Sequence, residues 1–204
     1  MATFVSVELD ERTIYRLMVG SIVPRPIAWV TSESPAGLVN LAPFSFFNGV
    51  ATDPPTVMIS IGLRAGEKKD TLRNIESTGD FVVNMVTESL AHAMNISAAD
   101  FLSHESEVPA AGVTLIEGTH VRCPRIREAP ISMECRLDRI LVVGRSRHSL
   151  VLGEVLAFHV EDALLRDGRI DPGRLPALGR LGGDLYCSVR TIIEMKRPHY
   201  VTKF

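Results

Sequence analysis

The chain has 204 residues, 46% of them hydrophobic, with a formal net charge of −2. That is enough apolar material for a sizeable core and suits one domain over 1–204, so disorder is excluded. The lysines and arginines are scattered rather than clustered, which gives no electrostatic footing for nucleic acid or a membrane surface.

The first predicted element is a short helix in "LDERTIYRLMVG", with Asp10 as its N-cap and Gly20 at its end. "PIAWVTSES" and "LVNLAPFSFFNGV" then read as two strands joined at the turn "SPAG". "PPTVMISIGL" is a third strand, and its Pro54–Pro55 entrance suits a rim or edge. In "EKKDTLRNIESTGD" the period changes: Leu72 and Ile75 share a face, Asp70 can cap, and Gly79 can stop a helix.

"FVVNMV" returns to strand, and "TESLAHAMNISAADF" is predicted helical with Thr87 as cap. Residues 103–112 read as a polar surface loop. In "ISMECRLD" apolar and polar residues alternate as in a half-buried antiparallel strand. "SLVLGEVLAFHVED" continues the sheet and "DLYCSVRTIIEM" is expected to close it, after the Gly-, Pro- and Arg-rich loop "DGRIDPGRLPALGRLGG". The pattern is mainly β (α+β): a closed antiparallel barrel with helical covers.

No apolar run approaches the ~18 residues of a membrane span. The opening "MATFVSVELDERTIY" carries acidic residues and no long apolar stretch, and is not expected to be a signal peptide. Cys123, Cys135 and Cys187 are odd in number and widely spaced, which fits a reducing compartment, the cytoplasm by default.

The chemistry-bearing stretches are few. In "KKDTLRNI" a helix start follows two lysines, and its free N–H groups, the Thr71 hydroxyl and Lys68 or Lys69 could seat a phosphate. The plainer reading is a capped helix with solvated lysines. "APFSFF" sets Ser45 among Phe44, Phe46 and Phe47 beside Pro43, where regular pairing is awkward and freed polar groups could meet a heteroaromatic edge. Plain barrel core is the competing reading, and Trp29 is ambiguous in the same way. Gly182–Gly183 permit close backbone approach between Arg180 and Tyr186, or simply form a crossover loop.

His148 lies in "GRSRHSLVLGEV", between strands, and neither it nor His92, His104 or His159 has the spacing of a catalytic group. "HVRC" has too few companions for a zinc site, so no metal is expected. There is no G-x-S-x-G elbow, no G-x-G-x-x-G fingerprint and no phosphate loop ending in G-K-[ST].

"VGSIVPRPIAWVTS", "NLAPFSFFNGVATDPP", "KDTLRNI", "GDFVVN", "GEV" and "LGRLGGDLY" occur in this order. With them the chain resembles the flavin reductase-like proteins with an FMN-binding split barrel, most closely their flavoredoxin-like branch, over residues 13–198. The resemblance implies a six-stranded antiparallel split β-barrel working as a homodimer, with FMN in a groove near the subunit interface. Carried over by position, Trp29, Val30 and Thr31 would line the flavin, and Asn40, Ala42, Pro43, Phe44 and Ser45 would meet its ring edge. Lys69, Asp70 and Thr71 would hold its phosphate, with His148, Arg180 and Tyr186 near the ring.

The function so implied is reduction of flavin by NADH or NADPH, with electrons passed to free flavin, a partner monooxygenase or a ferric chelate. The alternatives are a flavin-bearing electron carrier loaded by another reductase, or a cofactor-free assembly module. No acid or base need be supplied by the protein, because the redox chemistry belongs to the cofactor.

Overall fold

The structure is a computed structural model and describes residues 1–198. Helix α1 (Glu11–Ser21) begins at Asp10, whose carboxylate accepts the Thr13 N–H and hydroxyl, each at 2.8 Å. Satisfying free N–H groups in this way is what makes aspartate a good cap. Strands β1 (Ala28–Glu33) and β2 (Val39–Phe44) form one hairpin, and β3 (Phe47–Thr52) and β4 (Pro55–Ile61) a second. Helix α2 (Asp70–Thr78) ends at Gly79, which closes the last turn at φ +76°, a conformation that costs glycine little.

Strand β5 (Asp80–Met85) is followed by the short helices α3 (Ala91–Ile96) and α4 (Val108–Ala111) and the small pair β6 (Leu115–Ile116) and β7 (Arg125–Ile126). The long hairpin β8 (Ile131–Val143) and β9 (His148–Val160) comes next. Two small hairpins complete the order: β10 (Leu165–Arg166) with β11 (Arg169–Ile170), and β12 (Leu178–Arg180) with β13 (Tyr186–Ser188).

The main sheet is antiparallel, in the order β2-β1-β5-β8-β9-β4-β3. It has seven strands and is not closed, which corrects the expected closed, six-stranded barrel. The cause lies in the run "LVNLAPFSFFNGV", which is two strands rather than one. The ladder breaks at Ser45 and Phe46, and the chain resumes as β3 on the opposite edge of the sheet. The two edges are therefore consecutive pieces of chain, with no ladder between them.

Pro43 belongs to this break. In an antiparallel strand the N–H and C=O of one residue point to the same side, and the side alternates along the chain. Leu41 donates its N–H outward, to Glu107, so Pro43 two residues on has its nitrogen on the same open side. Proline is tolerated there because no ladder bond is lost.

A second correction concerns "DLYCSVRTIIEM", which does not close the sheet: Tyr186–Ser188 pairs only with β12, outside it. The Gly-rich loop before it supplies its own partner strand.

The sheet coils round a core that takes residues from both of its edges. Phe44 of β2 and Phe47 of β3 meet Val30, Ile59, Phe81 and Val155 there, with Leu72 and Ile75 of α2. The glycine of "GEV" has a packing reason: a Cβ on Gly153 would lie 2.4 Å from Cζ of Phe81. Because successive side chains alternate, Trp29 and Leu41 point to the other face. They pack with Met94 of α3 and Ala111 of α4, so β1 is covered on both sides.

Candidate functional site

A cleft opens where the outer edge of β2, the start of α2 and the α3–α4 connection converge. Asn40, Ala42, Pro43 and Phe44 form one wall, Lys69, Asp70 and Thr71 another, and Ala98, Asp100 and Glu107 a third. At Pro43 and Ala98 it runs into a wider hollow of about 560 Å³ bounded by Tyr15, Ser45, Asn95, Arg180 and Tyr186. That volume falls within the roughly 300–1,000 Å³ of small-molecule sites.

The narrow end favours an anion. No side chain caps the N-terminus of α2, so its first N–H groups have no side-chain acceptor, and its first residues, Asp70 and Thr71, line the cleft. Lys69 lies 5.7 Å over the ring of Phe44, and no carboxylate among the described residues pairs with it. Burial, and then the nearby Arg64, hold its ammonium below the usual lysine range. An incoming anion would offset both with its opposite charge. Lys68, by contrast, is tied to Glu76 at 2.7 and 2.8 Å on the surface.

Thr71 is buried, with its hydroxyl 2.8 Å from the amide of Asn40. Arg64 is neutralised, 3.0 Å from Asp100 and 3.7 Å from Asp70. Glu107, also buried, accepts the Leu41 N–H at 2.8 Å, and burial pushes its carboxyl up.

The wide end is suited to a flat ring. Beyond Leu41 the open edge of β2 offers the Pro43 carbonyl, with the Ser45 hydroxyl where pairing stops. Arg180 stacks 4.3 Å over the Tyr186 ring and donates to the Gly183 carbonyl at 2.6 Å, which fixes its plane beside the hollow. An apolar hollow lined by Met18, Ile22, Phe46 and Met58 adjoins at Ser45.

The structure thus brings Asn40, Ala42, Pro43, Phe44, Ser45, Lys69, Asp70, Thr71, Arg180 and Tyr186 to one continuous cleft. It does not bring Trp29, Val30, Thr31 or His148 there. Trp29 is fully buried, and its indole N–H donates to Ser97 at 2.8 Å. Val30 faces the inner core, and the Thr31 hydroxyl donates to the Pro124 carbonyl at 2.6 Å. His148 stacks on Phe46 at 6.4 Å, with its Nδ1 3.2 Å from the Ser60 hydroxyl, outside both hollows.

Sequence reasoning misses Arg25. It is 5% exposed, and its guanidinium donates to the carbonyls of Val19 at 2.6 Å, Ile22 at 2.8 Å and Leu181 at 2.8 Å. Its Nε lies 3.4 Å from the Ser45 hydroxyl. One side chain so ties the end of α1 and the 180s loop to the break in β2. The only sequence signal is its place between two prolines in "VPRP".

Among the described residues no group of three or more His, Cys, Asp or Glu could hold a metal ion, and all three cysteines are free. No helix there is long and apolar enough to cross a membrane. Burial pushes the Cys123 thiol up to about 12, far from a reactive thiolate.

Residues 19–176 match the flavin reductase like domain, and the chain belongs to that family. Among solved structures, nitrilotriacetate monooxygenase component B from Bacillus cereus is similar at 39% identity and TM-score 0.92, over 96% of this chain and 98% of that one. Pseudomonas fluorescens 2-nitrobenzoate 2-nitroreductase NbaA is similar at 36% identity and TM-score 0.90, over 99% of both. The flavoredoxin of Desulfovibrio vulgaris (Miyazaki F) shares the fold at 20% identity and TM-score 0.75, over 85% of this chain and 91% of that one. A flavin-binding oxidoreductase is the class of protein these define.

Proposed function

We propose that the chain binds FMN in this cleft and reduces it with NADH or NADPH, passing the electrons to free flavin, a ferric chelate or a monooxygenase partner. The observation that carries the reading is the uncapped start of α2, with Lys69 and Thr71 beside it, opening into a hollow of about 560 Å³ at the open edge of β2. The donor set fits the cofactor: an ammonium, a hydroxyl and helix N–H groups for a phosphate, then a carbonyl edge and the Ser45 hydroxyl for a ring rim. When bound, the flavin supplies the hydride and electron transfer. The likeness to component B of a monooxygenase supports a partner of that kind.

The chain's own residues bind and orient. Lys69 and Thr71 anchor the phosphate end, and the β2 break at Pro43–Ser45 sets where the ring edge lies. Arg25 holds that break and the 180s loop together, while Arg180 on Tyr186 borders the face left open to a nicotinamide. A homodimer would cover Leu141, Val142 and Val143 at the tip of β8, which stand 47%, 62% and 51% exposed in one copy. The free thiols suit a cytoplasmic, reducing setting.

The test is anaerobic. The purified protein with FMN is mixed with NADH and, separately, with NADPH, while the visible absorbance of the flavin is followed. Rapid bleaching by one of them supports a reductase. Bleaching by a chemical reductant but by neither nicotinamide would make the protein an electron carrier instead.

A further inference from the structure

Among the described residues, a single buried side-chain nitrogen or oxygen lacks a hydrogen-bond partner: Nε of Arg125. Buried polar atoms are nearly always paired, so the exception calls for a reason. Arg25 shows the usual outcome for a sheltered guanidinium, which is a set of carbonyl acceptors. The Arg125 guanidinium is half-buried, yet it has neither an acceptor nor an ion pair among the described residues.

The chain on either side of Arg125 is pinned. The Pro124 carbonyl accepts the Thr31 hydroxyl at 2.6 Å, and the Ile126 N–H donates to Oδ1 of the buried Asn84 at 3.0 Å. The Arg127 N–H donates to the Thr114 carbonyl at 2.9 Å. Ile126 is fully buried between the two arginines, and side chains alternate along an extended chain, so both arginines stand on the opposite side from it. They border a hollow of about 380 Å³ with Pro130, Phe158, His159 and Glu161. This hollow shares no lining residue with the flavin cleft.

The hollow has more positive than negative charge on its walls. Arg127 is exposed, and Glu128 beside it is turned to the Thr114 N–H at 3.0 and 3.1 Å. Glu134, the partner of His159, is fully buried and does not line the hollow. Its oxygens are taken by the amides of Thr119 and His120 and by the imidazole, at 2.8, 2.5 and 2.6 Å. Whatever the state of His159, the guanidinium groups of Arg125 and Arg127 therefore face one lining carboxylate, that of Glu161. The surplus is a single positive charge.

We propose that this hollow is a second ligand site, for a small organic carboxylate whose head lies on Arg125 and Arg127 beside His159 and whose carbon body rests on Phe158 and Pro130. The planar, singly charged carboxylate matches both the guanidinium fork and the surplus charge. A phosphate dianion exceeds that surplus and is opposed more strongly by Glu161. A bound carboxylate gives the terminal nitrogens of Arg125 the acceptor that the fold does not, and so offsets the cost of sheltering its charge. The volume suits a small molecule, within the range of roughly 300–1,000 Å³. The site does not depend on where the flavin lies.

The experiment is NMR titration of the flavin-free, ¹⁵N-labelled full chain with sodium benzoate, with sodium phosphate and, at matched ionic strength, with sodium chloride. Benzoate should move the amides of Arg125, Arg127, His159 and Glu161 along one saturating curve, phosphate should act there several-fold more weakly, and chloride should not act. Arg127→Gln, at an exposed position, should weaken benzoate about tenfold or more, as the loss of a hydrogen bond to a charged group does. Arg125→Gln should weaken it further. Glu161→Gln should tighten it, a gain that a damaged fold would not give. FMN affinity should be the same in wild type and Arg127→Gln. Equal shifts with chloride, undiminished benzoate affinity in Arg127→Gln, or benzoate shifts confined to the amides of Asp70, Thr71 and Asn95 would overturn the site. Tighter binding of phosphate than of benzoate at these amides would overturn the carboxylate assignment.

Discussion

Lys68 and Lys69 are adjacent in the chain and opposite in circumstance: the first is paired with Glu76 at 2.7 Å on the surface, the second lies 5.7 Å over the Phe44 ring with no carboxylate partner among the described residues. Removing the ammonium of Lys69 therefore removes a charge from the cleft wall without breaking an ion pair among the described residues. Lys69→Ala should weaken FMN binding about 10- to 100-fold, the range of a hydrogen bond to a charged group at ~1.5–3 kcal/mol. Riboflavin binding should hardly change, and Lys68→Ala should change neither. Fluorescence titration of the flavin checks this. Equal weakening of FMN and riboflavin by Lys69→Ala would mean that the lysine supports the ring or the fold.

Salt gives an independent reading of the same charge. Screening acts on the ammonium that Lys69→Ala lacks. High salt should weaken FMN binding to wild type more than to the variant, measured as the slope of log Kd against log salt.

Arg25 carries a different expectation, because its role is architectural. Arg25→Ala leaves the carbonyls of Val19, Ile22 and Leu181 without their donor and should cost about 3 kcal/mol of stability. Arg25→Lys should recover little of it, since one ammonium cannot reproduce the planar fork. Both variants should also lose flavin affinity, for riboflavin as much as for FMN, because the β2 break loosens. Urea denaturation and flavin titration together separate this outcome from a phosphate effect.

Away from the cleft, Glu134 sets an acid limit. Burial would raise its carboxyl, but the amides of Thr119 at 2.8 Å and His120 at 2.5 Å, with His159 at 2.6 Å, pull it from 4.5 down to about 2. A group depressed on folding stabilises above its unfolded pKa, and that stability drains as pH falls toward the folded one. The contribution, on the order of 3 kcal/mol, should be present above pH 4.5 and lost toward pH 2. In Glu134→Gln the fall in melting temperature below pH 4.5 should be shallower than in wild type, from a lower starting value.

Much of this was legible in the sequence because it is local. Asp10 and Gly79 act at the helix ends where their chemistry places them, and the alternation of "ISMECRLD" gives β8. Lys68 faces away as expected, but Asp70 is the first residue of α2 rather than its cap, and no side chain caps that end. What was not legible depends on contacts between distant residues. Nothing local says that the run from Val39 to Thr52 divides between opposite edges of a sheet, or that Trp29 turns its indole to Ser97. Glu107 sits in a polar stretch that reads as surface loop, yet it is buried by an amide 66 residues earlier. Its place in the cleft follows from the unpaired edge of β2, which only the sheet order reveals.

The central claim is that the start of α2 seats the phosphate of FMN and the open edge of β2 meets its ring. A crystal structure of the protein with FMN tests it most directly. The account predicts the phosphate within hydrogen-bonding distance of the first amides of α2, with the Lys69 ammonium against it and the ring edge at Pro43–Ser45. A phosphate lying elsewhere, with Lys69 still over Phe44 and no ligand at α2, would contradict it.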